Sequence, residues 1–400
     1  MAQNRRDFLK NSSLAAAGTW LVPYFLQAQA PRLNQFQGKR LIVIQLSGGN
    51  DGLNTIVPFE NDLYYNARPV LGIKKSEVLK VSDELGFNPA LESLKPLFDE
   101  GLLSVLNGVG YPNPDRSHFR SMDIWHTGSN SDEYWKTGWL GRYLDAECAN
   151  CESPHRAIEL NNTLDLAMKG EQIKGLAMSS PQQMVRDINT GFTRKIADVA
   201  DHRHEHEGVG YLYKTLIESV NSADYIQAHL KVKGRRNFNS PQSQFSNNLK
   251  TMVQMINSGL ETSVYYTQLG GFDTHANQKN QQARLLKQYA DGVKYLVDEL
   301  KSSGEFKNTL IMTFSEFGRR VGQNASQGTD HGTANNLFLI GDHVKGGFYN
   351  ILPSLSDLDN GDLKYSLDFR NVYATVLEDW LKADSEQILK RRFERLDFLA

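Results

Sequence analysis

Apolar residues fall into short runs that alternate with helix-period stripes along the chain. Residues 40–46, Arg-Leu-Ile-Val-Ile-Gln-Leu, are almost continuously aliphatic and stop at Ser47-Gly48-Gly49. A run of that length closed by a glycine turn predicts a strand buried on both faces, as in a parallel sheet. Leu102–Val109, Ser263–Leu269, Thr309–Phe314 and Leu337–Ile340 predict four more strands. Between them, Pro89–Phe98 puts Leu91, Leu94, Leu97 and Phe98 on one helical face after Asn88 as a cap. Pro96 should kink or shorten that helix. Gln281–Leu300 carries a longer stripe of Leu285, Leu286, Tyr289, Val293, Leu296 and Leu300, and Asn371–Leu381 continues the style. Strands alternating with helices predict an α/β fold, a mostly parallel central sheet with helices on both faces. Residues 152–262 are largely polar and helical, without a strand pattern between Leu166 and Gly259. They predict a helical insertion over the sheet, placed as a lid or cap. Residues 31–400 read as one domain.

Composition narrows the function classes. The 400 residues are 40% hydrophobic, and 44 basic side chains against 46 acidic ones leave a net charge of −2. That balance offers no basic field for nucleic acid. Two cysteines exclude a disulfide-dense scaffold, a four-cysteine zinc site and an iron–sulfur ferredoxin. The N-terminus reads Asn4-Arg5-Arg6-Asp7-Phe8-Leu9-Lys10, then a mildly apolar stretch, then Ala28-Gln29-Ala30. This is the layout of a twin-arginine export signal over residues 1–30, cleaved near Ala30. The alternative, a short membrane anchor, conflicts with Gly18, Thr19 and Pro23, which interrupt the apolar stretch. No later segment is apolar enough to span a membrane. The expected location is periplasmic or otherwise exported, with the twin-arginine machinery as a partner. In such a compartment Cys148 and Cys151 read as a small structural disulfide, there being no thioredoxin-like context for a redox motif. His202-x-His204-x-His206 is flanked by Asp201, Arg203, Glu205 and Glu207 and reads as a solvated charged turn.

Ligands of an open α/β sheet bind outside the carboxyl ends of its strands, and the polar motifs of this chain stand at those places. Ser47-Gly48-Gly49-Asn50-Asp51-Gly52 follows the first strand, and Pro114-Asp115-Arg116-Ser117-His118-Phe119 comes soon after the second. Gly270-Gly271-Phe272-Asp273-Thr274-His275 follows the third and Ser315-Glu316-Phe317-Gly318-Arg319-Arg320 the fourth. Gly328-Thr329-Asp330-His331-Gly332 precedes the fifth. The glycine loop lacks dinucleotide-binding spacing and opens no helix, so its glycines serve a tight turn that presents Asp51. Asp51, Asp273, His275, Glu316, Asp330 and His331 are oxygen and imidazole donors of the kind that hold one or two Zn, Mn or Mg ions. Each has a structural alternative: Asp273-Thr274-His275 as a helix cap, Glu316 paired with Arg319 or Arg320. Ser117 sits where a helix should begin, as a candidate metal-activated nucleophile or as a plain cap alongside Asp115. His118 is a candidate acid or base. Arg116, Arg319 and Arg320 are candidate oxyanion clamps, Arg319 foremost.

This ordered set of motifs resembles the domain of unknown function 1501 family. The tail Asp368-Phe369-Arg370-Asn371-Val372-Tyr373 with Trp380-Leu381 also fits. The family looks like a branch of the alkaline phosphatase superfamily, with its phosphatases, sulfatases and phosphopentomutase-like enzymes. The resemblance implies an alkaline phosphatase-like fold, a metal on Asp51 and a nucleophile at Ser117. A late strand of that superfamily usually ends in an Asp-His pair. Here Glu316-Phe317 stands in its place, and Asp330-His331 supplies either the last His or the displaced pair. The expectation is a periplasmic metal-dependent hydrolase of small or polymer-borne phosphate or sulfate esters. Its rival is a non-catalytic exported binding protein that keeps the fold.

Overall fold

The computed structural model describes residues 38–147, 154–188, 190, 207–232 and 243–400. The expected twin-arginine motif and cleavage site, Cys148, Cys151 and the three histidines of 202–206 lie outside the described residues. Nine strands form the main sheet: β1 (Arg40–Ser47), β2 (Leu103–Gly110), β3 (Ala157–Glu159), β4 (Leu176–Ala177), β5 (Val264–Gly270), β6 (Thr309–Phe314), β7 (Asn335–Ile340), β8 (Gly347–Phe348) and β9 (Leu367–Asp368). The helices that matter below are α1 (His118–Thr127), α2 (Trp139–Glu147), α3 (Gln244–Asn257), α4 (Gln278–Ser303) and α5 (Phe369–Thr375).

β1 is central and pairs in parallel with β5 on one side and β6 on the other. Its side chains alternate between two separate cores. Ile42, Ile44 and Leu46 enter the core beneath α3 and α4, whereas Leu41 and Val43 enter the one beneath α1, α2 and α5. Covering on both faces is why this strand reads as a continuous apolar run. All six apolar residues of the predicted α4 stripe, Leu285 through Leu300, are buried. Near Pro96 the chain runs as a 3-10 helix over Pro89–Leu94 and a short α-helix over Lys95–Asp99. Asn88 caps its start by accepting from the Ala90 N–H at 2.9 Å.

The sheet is mostly parallel, as the alternation of strands and helices predicts. The exception is β7, which runs antiparallel to both β2 and β6. That reversal has a positional consequence. The 315–334 connection leaves the carboxyl end of β6 and returns into β7 without crossing the sheet. Its two arms pair: Gly318 N–H donates to Thr333 O at 2.8 Å, Gly332 N–H to Gly318 O at 2.8 Å, and Arg320 N–H to Asp330 O at 3.0 Å. Residues preceding β7 therefore stand at the same edge as residues following β1, β5 and β6.

The expected strand-free stretch after Leu166 contains β4, which pairs in parallel with β3. Two residues carry no periodicity, so the pattern could not reveal it. Within the expected insertion, α3 belongs to the core, with Leu249, Met252, Val253 and Ile256 buried in it.

α1 is seated on the sheet by Trp125. Its indole stacks between Phe314 at 4.8 Å and Phe369 at 4.3 Å, while Tyr373 Oη donates to the Trp125 carbonyl at 3.0 Å. Its Nε1–H is buried without a partner. Trp125→Ala should therefore cost about 3–5 kcal/mol in urea melts. Trp125→Phe should lose less than half of that, because it keeps a ring in the stack and removes the unpaired donor. Equal losses in the two variants would contradict this account of the seat.

Candidate metal centre

The edge loops are fixed before any chemistry is placed on them. Gly48 and Gly49 have φ of +116° and +67°, and a Cβ at Gly48 would overlap the Phe272–Asp273 backbone. Gly48 lets the β1 loop lie directly against the β5 loop, and Gly49 leaves room for the Phe317 ring. Arg319, only 2% exposed, ties the arrangement together. Its Nε donates to Gly49 O at 2.6 Å, its Nη1 to Thr329 O at 2.9 Å, and its Nη2 to Phe272 O at 3.1 Å and Asp273 Oδ1 at 2.8 Å. A further short bond joins Nη2 to Gly48 O. With every nitrogen engaged, the expected oxyanion clamp is a loop fastener instead.

Asp51 is likewise sequestered. At 1% exposure it pairs with Arg68 Nη1 at 2.6 Å, accepts from the Gln278 amide and caps Asn54. Arg68 has further oxygen acceptors, Asn54 Oδ1 at 2.8 Å, Val321 O at 2.8 Å and Arg320 O at 2.9 Å. The glycine turn thus delivers Asp51 to an internal guanidinium and not to an open crevice.

Four groups do converge. Asp273 Oδ1 lies 3.4 Å from His118 Nε2, 3.1 Å from His275 Nε2 and 3.2 Å from His331 Nε2. Ligand atoms of His118, Asp273 and His331 all fall within 4.8 Å of one another. The far nitrogen of each ring faces an oxygen acceptor. His118 Nδ1 is 2.8 Å from Glu316 Oε1, His275 Nδ1 is 3.3 Å from Asp330 Oδ1, and His331 Nδ1 is 2.7 Å from the Arg116 carbonyl. In a neutral ring that acceptor holds the proton on Nδ1 and turns the Nε2 lone pair inward, whereas a protonated ring also donates from Nε2 to Asp273. His275 and His331 Nε2 stand 2.9 Å apart. His118 Nε2 is buried without a hydrogen-bond partner.

Of the residues expected at a metal, the structure brings together Asp273, His275 and His331. It places Glu316 and Asp330 behind the imidazoles and keeps Asp51 apart. His118, expected as an acid or base, belongs to the converging set. Its sequence position carries no mark of this, since only the fold reveals that its ring meets Asp273. Glu316 forms no first helical turn with Arg319 or Arg320. Fully buried, it accepts from Gly48 N–H at 2.8 Å as well as from His118.

Electrostatics follow the geometry. The Glu316 hydrogen bond raises the His118 pKa above its ordinary value, against the opposing effect of burial. Burial would raise Asp273, but the hydrogen bonds from Arg319 and His331 outweigh it and bring the carboxyl to about 2. Ser117 is exposed at the N-cap of α1, yet its hydroxyl makes no capping bond. Asp115 serves that turn instead, accepting from Ser117 N–H at 2.6 Å.

The family model described as "Protein of unknown function (DUF1501)" matches residues 105–395. The chain belongs to the DUF1501 family. No curated protein matches its sequence. Solved structures to which this DUF1501 member is similar include the PsFucS1 sulfatase from Pseudoalteromonas sp., at 12% identity and TM-score 0.41, covering 90% of this chain and 72% of that one. Another is the phosphonate monoester hydrolase SpPMH from Silicibacter pomeroyi, at 8% identity and TM-score 0.38, covering 89% and 77%. The C-terminal periplasmic domain of EcEptC from Escherichia coli in complex with Zn follows at 11% and 0.37, covering 76% and 73%. Likeness of this degree transfers no residue role and no activity. No helix among the described residues is long and apolar enough to cross a membrane.

If Asp51 neutralises Arg68 and binds no ion, Asp51→Ala should destabilise the protein by about 3–5 kcal/mol, the cost of an unpaired buried charge. The folded fraction should keep whatever divalent metal the wild type binds. Loss of metal from a variant of undiminished stability would reverse the assignment.

Proposed function

We propose that this DUF1501 protein is a metal-dependent hydrolase of phosphate or sulfate esters, exported on its first 30 residues by the twin-arginine machinery. One observation carries the metal: three imidazoles whose Nδ1 atoms face oxygen acceptors turn their Nε2 atoms onto one carboxylate oxygen. With all three rings neutral, these atoms at 2.9–3.4 Å are acceptors that repel one another unless a cation stands among them. Protonating one ring would relieve some of these contacts but not all.

The donor set supports a single ion held by His118, His331 and Asp273, with His275 Nε2 beside them at 3.1 Å from Asp273 Oδ1. Two nitrogens and one oxygen, with a third imidazole at hand, suit Zn or Mn better than Mg, which prefers an all-oxygen shell. When bound, such an ion supplies Lewis-acid charge at a transferring phosphoryl or sulfuryl group. The chain's own residues do the positioning. Glu316, Asp330 and the Arg116 carbonyl fix the imidazole tautomers, as outer-shell partners of metal-binding histidines do. Ser117, adjacent to His118, presents an uncommitted hydroxyl at the positive end of α1, where developing negative charge is favoured. It is the nucleophile of this reading.

A second reading, a non-catalytic exported binding protein, is favoured by the sequestration of Asp51 and Arg319. Elemental analysis of protein purified without chelators separates the two. The hydrolase should hold about one equivalent of divalent metal, lost in His331→Ala and Asp273→Ala and kept in Ser117→Ala. On a panel of phosphate and sulfate esters, Ser117→Ala should lower the rate at least about a hundredfold. Protein that stays metal-free after reconstitution would sink the hydrolase, and metal-loaded protein inert to the whole panel would favour the binder.

A further inference from the structure

We propose that Arg116 and Arg320, yoked by the buried carboxylate of Asp362, are the anion grip of this centre and hold the non-bridging oxygens of a phosphate or sulfate ester. The proposal rests on the hydrolase reading and names the part of the substrate that the protein recognises.

Asp362 is fully buried. Its Oδ2 accepts from Arg116 Nε at 2.8 Å and, more closely still, from Arg116 Nη2. Its Oδ1 has no hydrogen-bond partner and faces Arg320 Nε at 3.6 Å. Two guanidiniums thus share one carboxylate, and the trio by itself sums to one positive charge, with Asp330 acting on Arg320 and Asp359 on Asp362 through space. Burying a carboxylate in order to gather two like charges is unfavourable by itself. It becomes intelligible if a third, anionic partner completes the group.

The two arginines also have the right availability. Their side chains are 42% and 41% exposed. Among the described residues, Arg116 Nη1 and both Nη atoms of Arg320 have no hydrogen-bond partner. Arg319, the obvious candidate by sequence, is closed off by its backbone acceptors. Both backbones are anchored to the metal centre. The Arg116 carbonyl accepts from His331 and precedes Ser117, while Arg320 N–H donates to Asp330 O at 3.0 Å. Planar guanidiniums match tetrahedral oxyanions two bonds at a time. A charged monoester fits this chemistry, and a neutral ester does not.

Calorimetric titration of the full, metal-loaded chain with inorganic phosphate, and separately with sulfate, tests the grip. Metal content is measured on the same samples. Arg320→Gln should weaken binding of the preferred anion by about tenfold or more, and the Arg116→Gln/Arg320→Gln double variant further, with metal content unchanged. Asp362→Asn should weaken it comparably and Asp362→Glu restore part of it, a recovery that general destabilisation would not give. Tighter phosphate or tighter sulfate binding identifies which ester is recognised. Undiminished anion binding in the metal-loaded double variant overturns the grip and leaves the metal centre standing. Failure of wild type to bind either anion while fully metal-loaded overturns it as well. A wild type that takes up no metal overturns the hydrolase reading first.

Discussion

Everything at this edge of the sheet depends on one buried guanidinium. Arg319 bonds to carbonyls of the β1 loop, the β5 loop and the returning arm before β7, and to the carboxylate of Asp273. These segments are far apart in sequence and share no strand pairing beyond their roots. A single planar cation with five donors can satisfy three of them at once, which an ammonium could not do with fixed geometry. Gly48 and Gly49 are the complementary half, since only residues without Cβ allow the loops to approach so closely. The converging imidazoles are therefore set on a frame already closed by hydrogen bonds.

Two aspartates at equivalent strand ends meet different ends through their cations. Asp51 faces Arg68 in full burial, where a fixed charge neutralises it permanently. Asp273 shares Arg319, but its side chain is 48% exposed and meets three histidines. Only the second retains a lone pair toward an accessible space. The consequence is a centre with one set of converging donors in place of the two-ion arrangement that six scattered donor residues allowed. An internal arginine meets Asp51, which the family resemblance implied as a metal ligand.

The sheet was legible because burial on both faces writes itself into continuous apolar runs, as β1 and β6 show, and the α4 stripe follows a period that burial on one face imposes. The edge location of the site was legible too, because chemistry-bearing residues recurred at strand ends. What the sequence hid was the division of labour among them. Glu316 and Asp273 are both carboxylates after parallel strands, and only the fold turns one to the back of an imidazole and the other to its front. His118 and His275 differ little in local context. Arg319 and Arg320 are neighbours, yet one is 2% exposed and the other has a side chain 41% exposed. Alternation along a short hairpin arm, not composition, decides between fastener and accessible charge. The antiparallel turn into β7 was also hidden, and it explains why residues before a strand join residues after others.

The exposure of the centre constrains what it can take. Asp273 and His275 have side chains about half exposed, and Ser117 lies on the surface beside Phe119, which is 82% exposed. A groove of about 1050 Å³ lies elsewhere, lined from residues 58, 60–63, 82–85 and 348–356, and contains none of the converging residues. Glu60, Asp62, Asp83 and Glu84 give it an acidic rim that disfavours an anionic ester. A shallow centre gains little selectivity from enclosure, because few walls remain to contact the rest of the ligand. Discrimination must then come from the charged group itself, through fixed donors and cations. On the proposed hydrolase reading, a centre of that form would place no size limit on what carries the ester, so a polymer-borne group would be as accessible to it as a small molecule.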